Sequence, residues 1–154
     1  AEMMLGAGAT HVVVMSRAHW ASVKEMVKVA HAMGGEVMAD VLAAGDKGKD
    51  ARAMQDLGVD WIIVHTGFDE RRYVRGVSPL DDLDAVVAAV DLPVQAVGGL
   101  SIEQALETVR RGARSVVIGA PLAIQADRFA TGDEFEAILR EVVARVRALE
   151  ASRP

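Results

Sequence analysis

Three times in this chain a glycine closes a helix-like stretch and a strand-like run follows almost at once. The junctions are Gly8-Ala-Thr-His-Val12, Gly58-Val-Asp-Trp-Ile62 and Gly112-Ala-Arg-Ser-Val116. Glycine is the residue that most readily ends a helix. A helix that ends and feeds directly into a strand, repeated along a chain, implies an α/β fold with a parallel sheet. The units are too irregular in length for a solenoid.

Strands are expected over residues 10–16, 36–42, 60–65, 93–97 and 114–119. These runs are short and apolar, and turn residues bound them, as in strands covered on both faces. Helices are expected over residues 18–33, 46–57, 80–90 and 101–111, and from Thr131 to about residue 149. In the first, Trp20, Val23, Met26, Val27 and Ala30 recur at helical spacing, with Lys24, Glu25 and Lys28 opposite. Ser101-Ile-Glu-Gln104 and Thr131-Gly-Asp-Glu134 read as capping boxes. Pro121 is expected to open a short helical piece. Residues 66–78 are polar and carry Asp69, Glu70, Arg71, Arg72 and Arg75, so a long loop is expected there. The chain opens at Ala1-Glu-Met-Met-Leu5, already helix-like, which is expected of a chain that starts inside an element. Five β/α units in one domain over residues 1–154 suit either an open doubly wound sheet or part of an eight-stranded barrel. Both collect their chemistry where strands end.

Composition narrows the function classes. Seventeen basic against 22 acidic residues leave a net charge of −5, with both signs spread along the chain. Nucleic-acid binders usually carry a basic face, so no nucleic-acid partner is expected. No apolar run reaches the roughly 18 residues of a membrane span. There is no cysteine, hence no disulfide framework and no thiolate metal site, which fits a cytoplasmic protein.

The strand ends hold Ser16-Arg17, Asp40, His65-Thr66-Gly67, Gly98-Gly99 and Gly119-Ala120. The Gly98-Gly99 pair precedes the helix start at Ser101. Glycine lets an anion approach the backbone, and a helix start offers free N–H groups. Gly98, Gly99, Gly119 and Ala120 are therefore candidate phosphate-binding positions, with two tight turns as the alternative. Asp40 lies in an apolar strand, either orienting a substrate hydroxyl or lysine or making a structural pair. His65 closes a strand, as a proton carrier or as a satisfied structural residue. Arg71, Arg72 and Arg75 either bind an anion or solvate a loop. His11, His19 and His31 read as structural or exposed.

At Ala39-Asp40-Val41, Leu57-Gly-Val-Asp60, His65-Thr-Gly-Phe-Asp69, Val94-Gln-Ala-Val-Gly-Gly-Leu-Ser101 and Val117-Ile-Gly119 the sequence resembles 3-hexulose-6-phosphate synthases, of the orotidine-5′-phosphate decarboxylase superfamily. The resemblance implies a (β/α)8 TIM-barrel type fold, here incomplete at about five β/α units that correspond to strands four to eight. It implies an aldolase that condenses formaldehyde with ribulose 5-phosphate, or the reverse cleavage. Gly98, Gly99, Gly119 and Ala120 would hold the phosphate, His65 would move protons near the enediolate, and Asp40 would contact the substrate or the catalytic lysine. A magnesium ion would offset the developing charge. The family's Asp-x-Lys-x-x-Asp run, which supplies that lysine and a metal-binding acid, does not occur in these 154 residues. Asp46-Lys-Gly-Lys-Asp50 has the wrong spacing. The main metal ligands are thus expected outside this chain. A homodimer, or pairing with a missing N-terminal segment, is expected to close the barrel. The related 3-keto-L-gulonate-6-phosphate decarboxylase tends to carry a basic residue where Ala120 stands, and a phosphate-binding or assembly half-barrel is a non-catalytic alternative.

Overall fold

The computed structural model describes residues 1–42, 44–119, 124–125, 128–129 and 132–151. Its elements in chain order are α1 (Glu2–Gly6), β1 (His11–Met15), α2 (Trp20–Ala32), β2 (Glu36–Asp40), α3 (Lys47–Asp56), β3 (Trp61–His65), α4 (Phe68–Tyr73), α5 (Leu80–Ala89), β4 (Val94–Val97), α6 (Ile102–Arg110), β5 (Ser115–Val117), β6 (Ile124–Gln125), β7 (Arg128–Phe129) and α7 (Gly132–Ala151). The recurrent glycine junctions have a common cause. Gly8, Gly58 and Gly112 have φ of 99°, 92° and 101°, a left-handed conformation that closes a helix and that other residues resist. Helix starts follow their side chains too. The Asp46 carboxylate accepts the Lys49 N–H at 2.9 Å, and the Ser101–Gln104 capping box has both of its bonds.

β1 to β5 form one sheet in the order β1-β2-β3-β4-β5, every neighbouring pair parallel. That order decides between the two α/β architectures. Parallel crossovers are right-handed. When each strand is added on the same side of the last, every crossover helix falls on the same face. A doubly wound sheet reverses its order once, and this one does not. The chain is an α/β structure of the (β/α) barrel type, incomplete, with β1 and β5 at the edges of its five-stranded sheet.

Burial agrees. Val12, Val14, Val37, Ala39, Ile62, Val64, Val94 and Ala96 form the helix side of the sheet and pack in one cluster with Val23, Val27, Ala51, Met54, Leu83 and Val86. Each fully buried aliphatic side chain stabilises by about 1.5–3 kcal/mol. A surface ion pair contributes about 0–1 kcal/mol, so this cluster dominates. The other face is open at its margins, where Val13 is 55% and Val117 41% exposed. β1 therefore alternates, with only Val12 and Val14 buried, instead of being covered on both faces as its unbroken apolar run suggests. In a closed barrel that second face is interior.

Two further points differ from expectation. Residues 66–78 are not all loop, because α4 forms over Phe68–Tyr73, with Asp69 and Glu70 in its first turn and Arg71 and Arg72 in its last. Those charges complement the helix dipole. After β5, the short antiparallel pair β6–β7 was not expected. Pro121 and the N-cap candidate Thr131 lie outside the described residues. Near the C-terminus, Arg145 of α7 donates to Glu103 of α6 at 2.9 Å and holds that carboxyl below the usual carboxylate range.

Candidate functional site

The parallel register aligns the strand ends along one edge of the sheet. Asp40 pairs with Ile63, His65 with Val97, and Val97 with Val117. Asp40 and His65, 25 residues apart in sequence, meet at the open face. Asp40 Oδ2 lies 2.9 Å from His65 Nδ1, and its Oδ1 accepts the Leu42 N–H at 2.8 Å. Asp40 is 8% exposed, so the backbone and the ring together fix its carboxylate. Its partners are thus a backbone donor, one form of the structural pair, and the His65 ring, with no lysine. An ionised carboxylate only accepts, so the neutral ring carries its proton on Nδ1. Nε2 is then a free acceptor on a side chain 26% exposed to solvent. A ring anchored at one nitrogen and open at the other can take or deliver a proton.

This assignment predicts the effect of Asp40→Asn. The introduced amide has one oxygen, and the Leu42 N–H claims it. Its NH2 group then faces Nδ1 and drives the ring proton to Nε2. Imidazole nitrogen shifts from ¹⁵N NMR on the neutral ring are expected to report the exchange of tautomers. Unchanged shifts would show that Asp40 does not set the ring.

The Gly98-Gly99 turn is adjacent. Thr66 donates its N–H to Val97 O at 3.0 Å, tying the end of β3 to the end of β4. Gly98 has φ of 138° and Gly99 of 63°. A Cβ on Gly98 would stand 2.6 Å from the Thr66 carbonyl oxygen, so the turn lies directly on Thr66. The N–H groups of Gly98, Gly99 and Leu100 donate to no acceptor among the described residues, and Ser101 then caps α6. Consecutive unbonded N–H groups ahead of a helix form an anion cradle.

No protein-family profile matches the chain. The 3-hexulose-6-phosphate synthase 3 of Staphylococcus saprophyticus is 35% identical over 117 residues, which are 75% of this chain and 55% of that protein. The Staphylococcus aureus 3-hexulose-6-phosphate synthase (strain MRSA252) is 30% identical over the same length. Among solved structures, a 3-hexulose-6-phosphate synthase superposes with a TM-score of 0.73 at 25% identity, covering 89% of this chain and 65% of that one. The chain matches part of a 3-hexulose-6-phosphate synthase. It spans about half the length of the curated synthases, at 55% of the first of them. A 3-keto-L-gulonate-6-phosphate decarboxylase from Vibrio cholerae has the same fold, with a TM-score of 0.70 at 25% identity, covering 94% of this chain and 65% of that one.

Against the synthase expectation, the site is uneven. Asp40, His65, Gly98 and Gly99 come together. Gly119 follows β5 as Gly99 follows β4, but a Cβ there would meet nothing within 4 Å, so no contact demands glycine. Ala120 lies outside the described residues. The described residues do not fit a magnesium ion. None of them form a cluster of three or more His, Cys, Asp or Glu able to hold a metal, and both Asp40 oxygens are already bonded. Lys47 is no substitute for the family lysine, since it is buried in a pair with Asp82 at 2.7 Å. The other histidines are structural. His11 meets Glu36 and His31 meets Asp60, each at 2.9 Å, and His19 caps α2.

Arg71 had two readings, anion ligand or solvated loop residue, and the structure places it at the turn. Its guanidinium fills the space beside Gly99, where a Cβ would stand 2.6 Å from Cζ. The signal was the spacing Phe68 to Arg71, which on a helix lays the cation over the ring, here at 5.7 Å. Arg72 and Arg75 are exposed.

Proposed function

We propose that this chain carries the phosphate grip and the histidine of a 3-hexulose-6-phosphate synthase-type aldolase. The reaction joins formaldehyde to ribulose 5-phosphate, or splits the product in reverse. One observation carries this reading: the Asp40-held His65 is the register partner of Val97, immediately before the Gly98-Gly99 cradle. A sugar phosphate anchored on the cradle would extend its carbon chain toward His65. Nε2 would then accept or return the proton as the enediolate forms and collapses. Asp40 keeps the ring in the tautomer this requires. The lysine and metal chemistry of the family has no residues here, so no step is assigned to either.

The test is calorimetry with ribulose 5-phosphate. The chain is expected to bind it, and Gly99→Asp is expected to abolish binding by placing bulk and negative charge at the cradle. Unchanged affinity in that variant would sink the phosphate assignment. Formaldehyde-dependent consumption of ribulose 5-phosphate is expected to be negligible. A rate like that of a complete synthase would overturn the placing of the main chemistry outside these 154 residues. The exposed sheet face at Val13 and Val117 favours a second reading, a phosphate-binding half-barrel that pairs through that face. Both readings share the cradle.

A further inference from the structure

We propose that Arg71 is the cationic ligand of the anion held on the Gly98-Gly99 turn, an inference that rests on the phosphate reading of that turn. The residue sits on α4, directly after the strand that ends in His65, and its N–H donates to Gly67 O at 3.1 Å. Its side chain folds back over Phe68 and brings the guanidinium against Gly99. A Cβ there would stand 3.1 Å from Nε as well as 2.6 Å from Cζ, so a side chain at this position would displace the guanidinium.

Among the described arginines without a carboxylate partner, Arg17, Arg72, Arg75, Arg114 and Arg147 are exposed, whereas Arg71 is half-buried. Arg52, Arg110, Arg111, Arg140 and Arg145 each have a carboxylate partner. Arg71 has none among the described residues, although Asp69 and Glu70 precede it on the same helix. Its guanidinium makes no hydrogen bond there, and Nε is buried without an acceptor. A buried donor left unbonded is costly, and more so when it is charged. A second buried side-chain group without a partner among the described residues is the Thr66 hydroxyl, on a residue 1% exposed that lies against Gly98. Two unsatisfied polar groups therefore flank a turn whose backbone N–H groups are also unbonded among the described residues. All of these groups can donate, and a phosphate monoester dianion is the ligand chemistry that accepts from all of them. The guanidinium fork suits two phosphate oxygens at once, as an ammonium does not.

The test titrates the whole chain with ribulose 5-phosphate and, separately, with inorganic phosphate, by calorimetry. Arg71→Gln is expected to weaken both by about tenfold or more, the scale of a lost charge-assisted contact. It is also expected to flatten the fall of affinity with rising salt. Arg71→Lys keeps the charge but not the fork, and is expected to bind between the two. Circular dichroism on each variant separates lost binding from lost fold. If Arg71→Gln binds within twofold of the parent while Gly99→Asp loses binding, the cradle stands and the role of Arg71 falls. If the parent chain binds neither ligand, both fall together.

Discussion

Gly98→Ala is expected to destabilise the chain by about 2–6 kcal/mol, the sum of two separate costs. A left-handed φ held by a non-glycine residue costs about 1–3 kcal/mol, and Gly98 sits at 138°. Overpacking adds about 1–3 kcal/mol. The new methyl would stand 2.6 Å from the Thr66 carbonyl and 3.1 Å from Pro79 Cγ. Neither neighbour yields easily, since one is backbone at the end of β3 and the other a buried ring ahead of α5. Whole domains are stable by only about 5–15 kcal/mol, so this one methyl takes a large share. Urea unfolding followed by circular dichroism is expected to show a lower midpoint with an unchanged slope. A loss under about 1 kcal/mol would mean that Thr66 does not hold the turn as described. Because Thr66 follows His65, the same strain would push the histidine away from the cradle. Ribulose 5-phosphate binding is expected to suffer even in molecules that remain folded.

Much of the fold was legible because local chemistry determined it. The three helix-to-strand glycines all have the left-handed φ their position implied, and the Ser101 capping box has both its bonds. What stayed hidden depended on residues distant in sequence. An unbroken Val-Val-Val run reads as covered on both faces, yet β1 is an edge strand and Val13 faces no layer. α4 was missed because its six residues are mostly charged and leave no apolar stripe to read. In the site, Asp40 and His65 were each visible as strand-end residues. Their bond was not, because only the register of β2 on β3 and β3 on β4 brings them together. Arg71 was equivocal for a similar reason. Its helix points it at a glycine in the turn after another strand, and no spacing rule links residues 71 and 99.

The pair between Lys47 and Asp82 is expected to respond asymmetrically to substitution, and the asymmetry follows from burial. Lys47 opens α3 with a side chain 7% exposed, while Asp82 on α5 is 43% exposed. The two helices are close here, since a Cβ on Gly48 would lie 3.2 Å from the Ala85 carbonyl oxygen. Asp82→Ala strands the ammonium in that seam. It also leaves a cation at the positive end of a helix. Breaking a fully buried pair from one side costs about 3–5 kcal/mol. Asp82 is half in water, so about 2 kcal/mol is the expected loss. Lys47→Met removes the buried charge and leaves Asp82 to the solvent, where it already acts as a favourable first-turn acid of α5. Its expected cost is under about 1 kcal/mol, because hydrophobic replacement of a buried ion is often neutral. The double variant is expected to match Lys47→Met, so most of the Asp82→Ala loss disappears once the lysine is gone. Equal losses from the two single variants in urea unfolding would show that the lysine is solvated in solution.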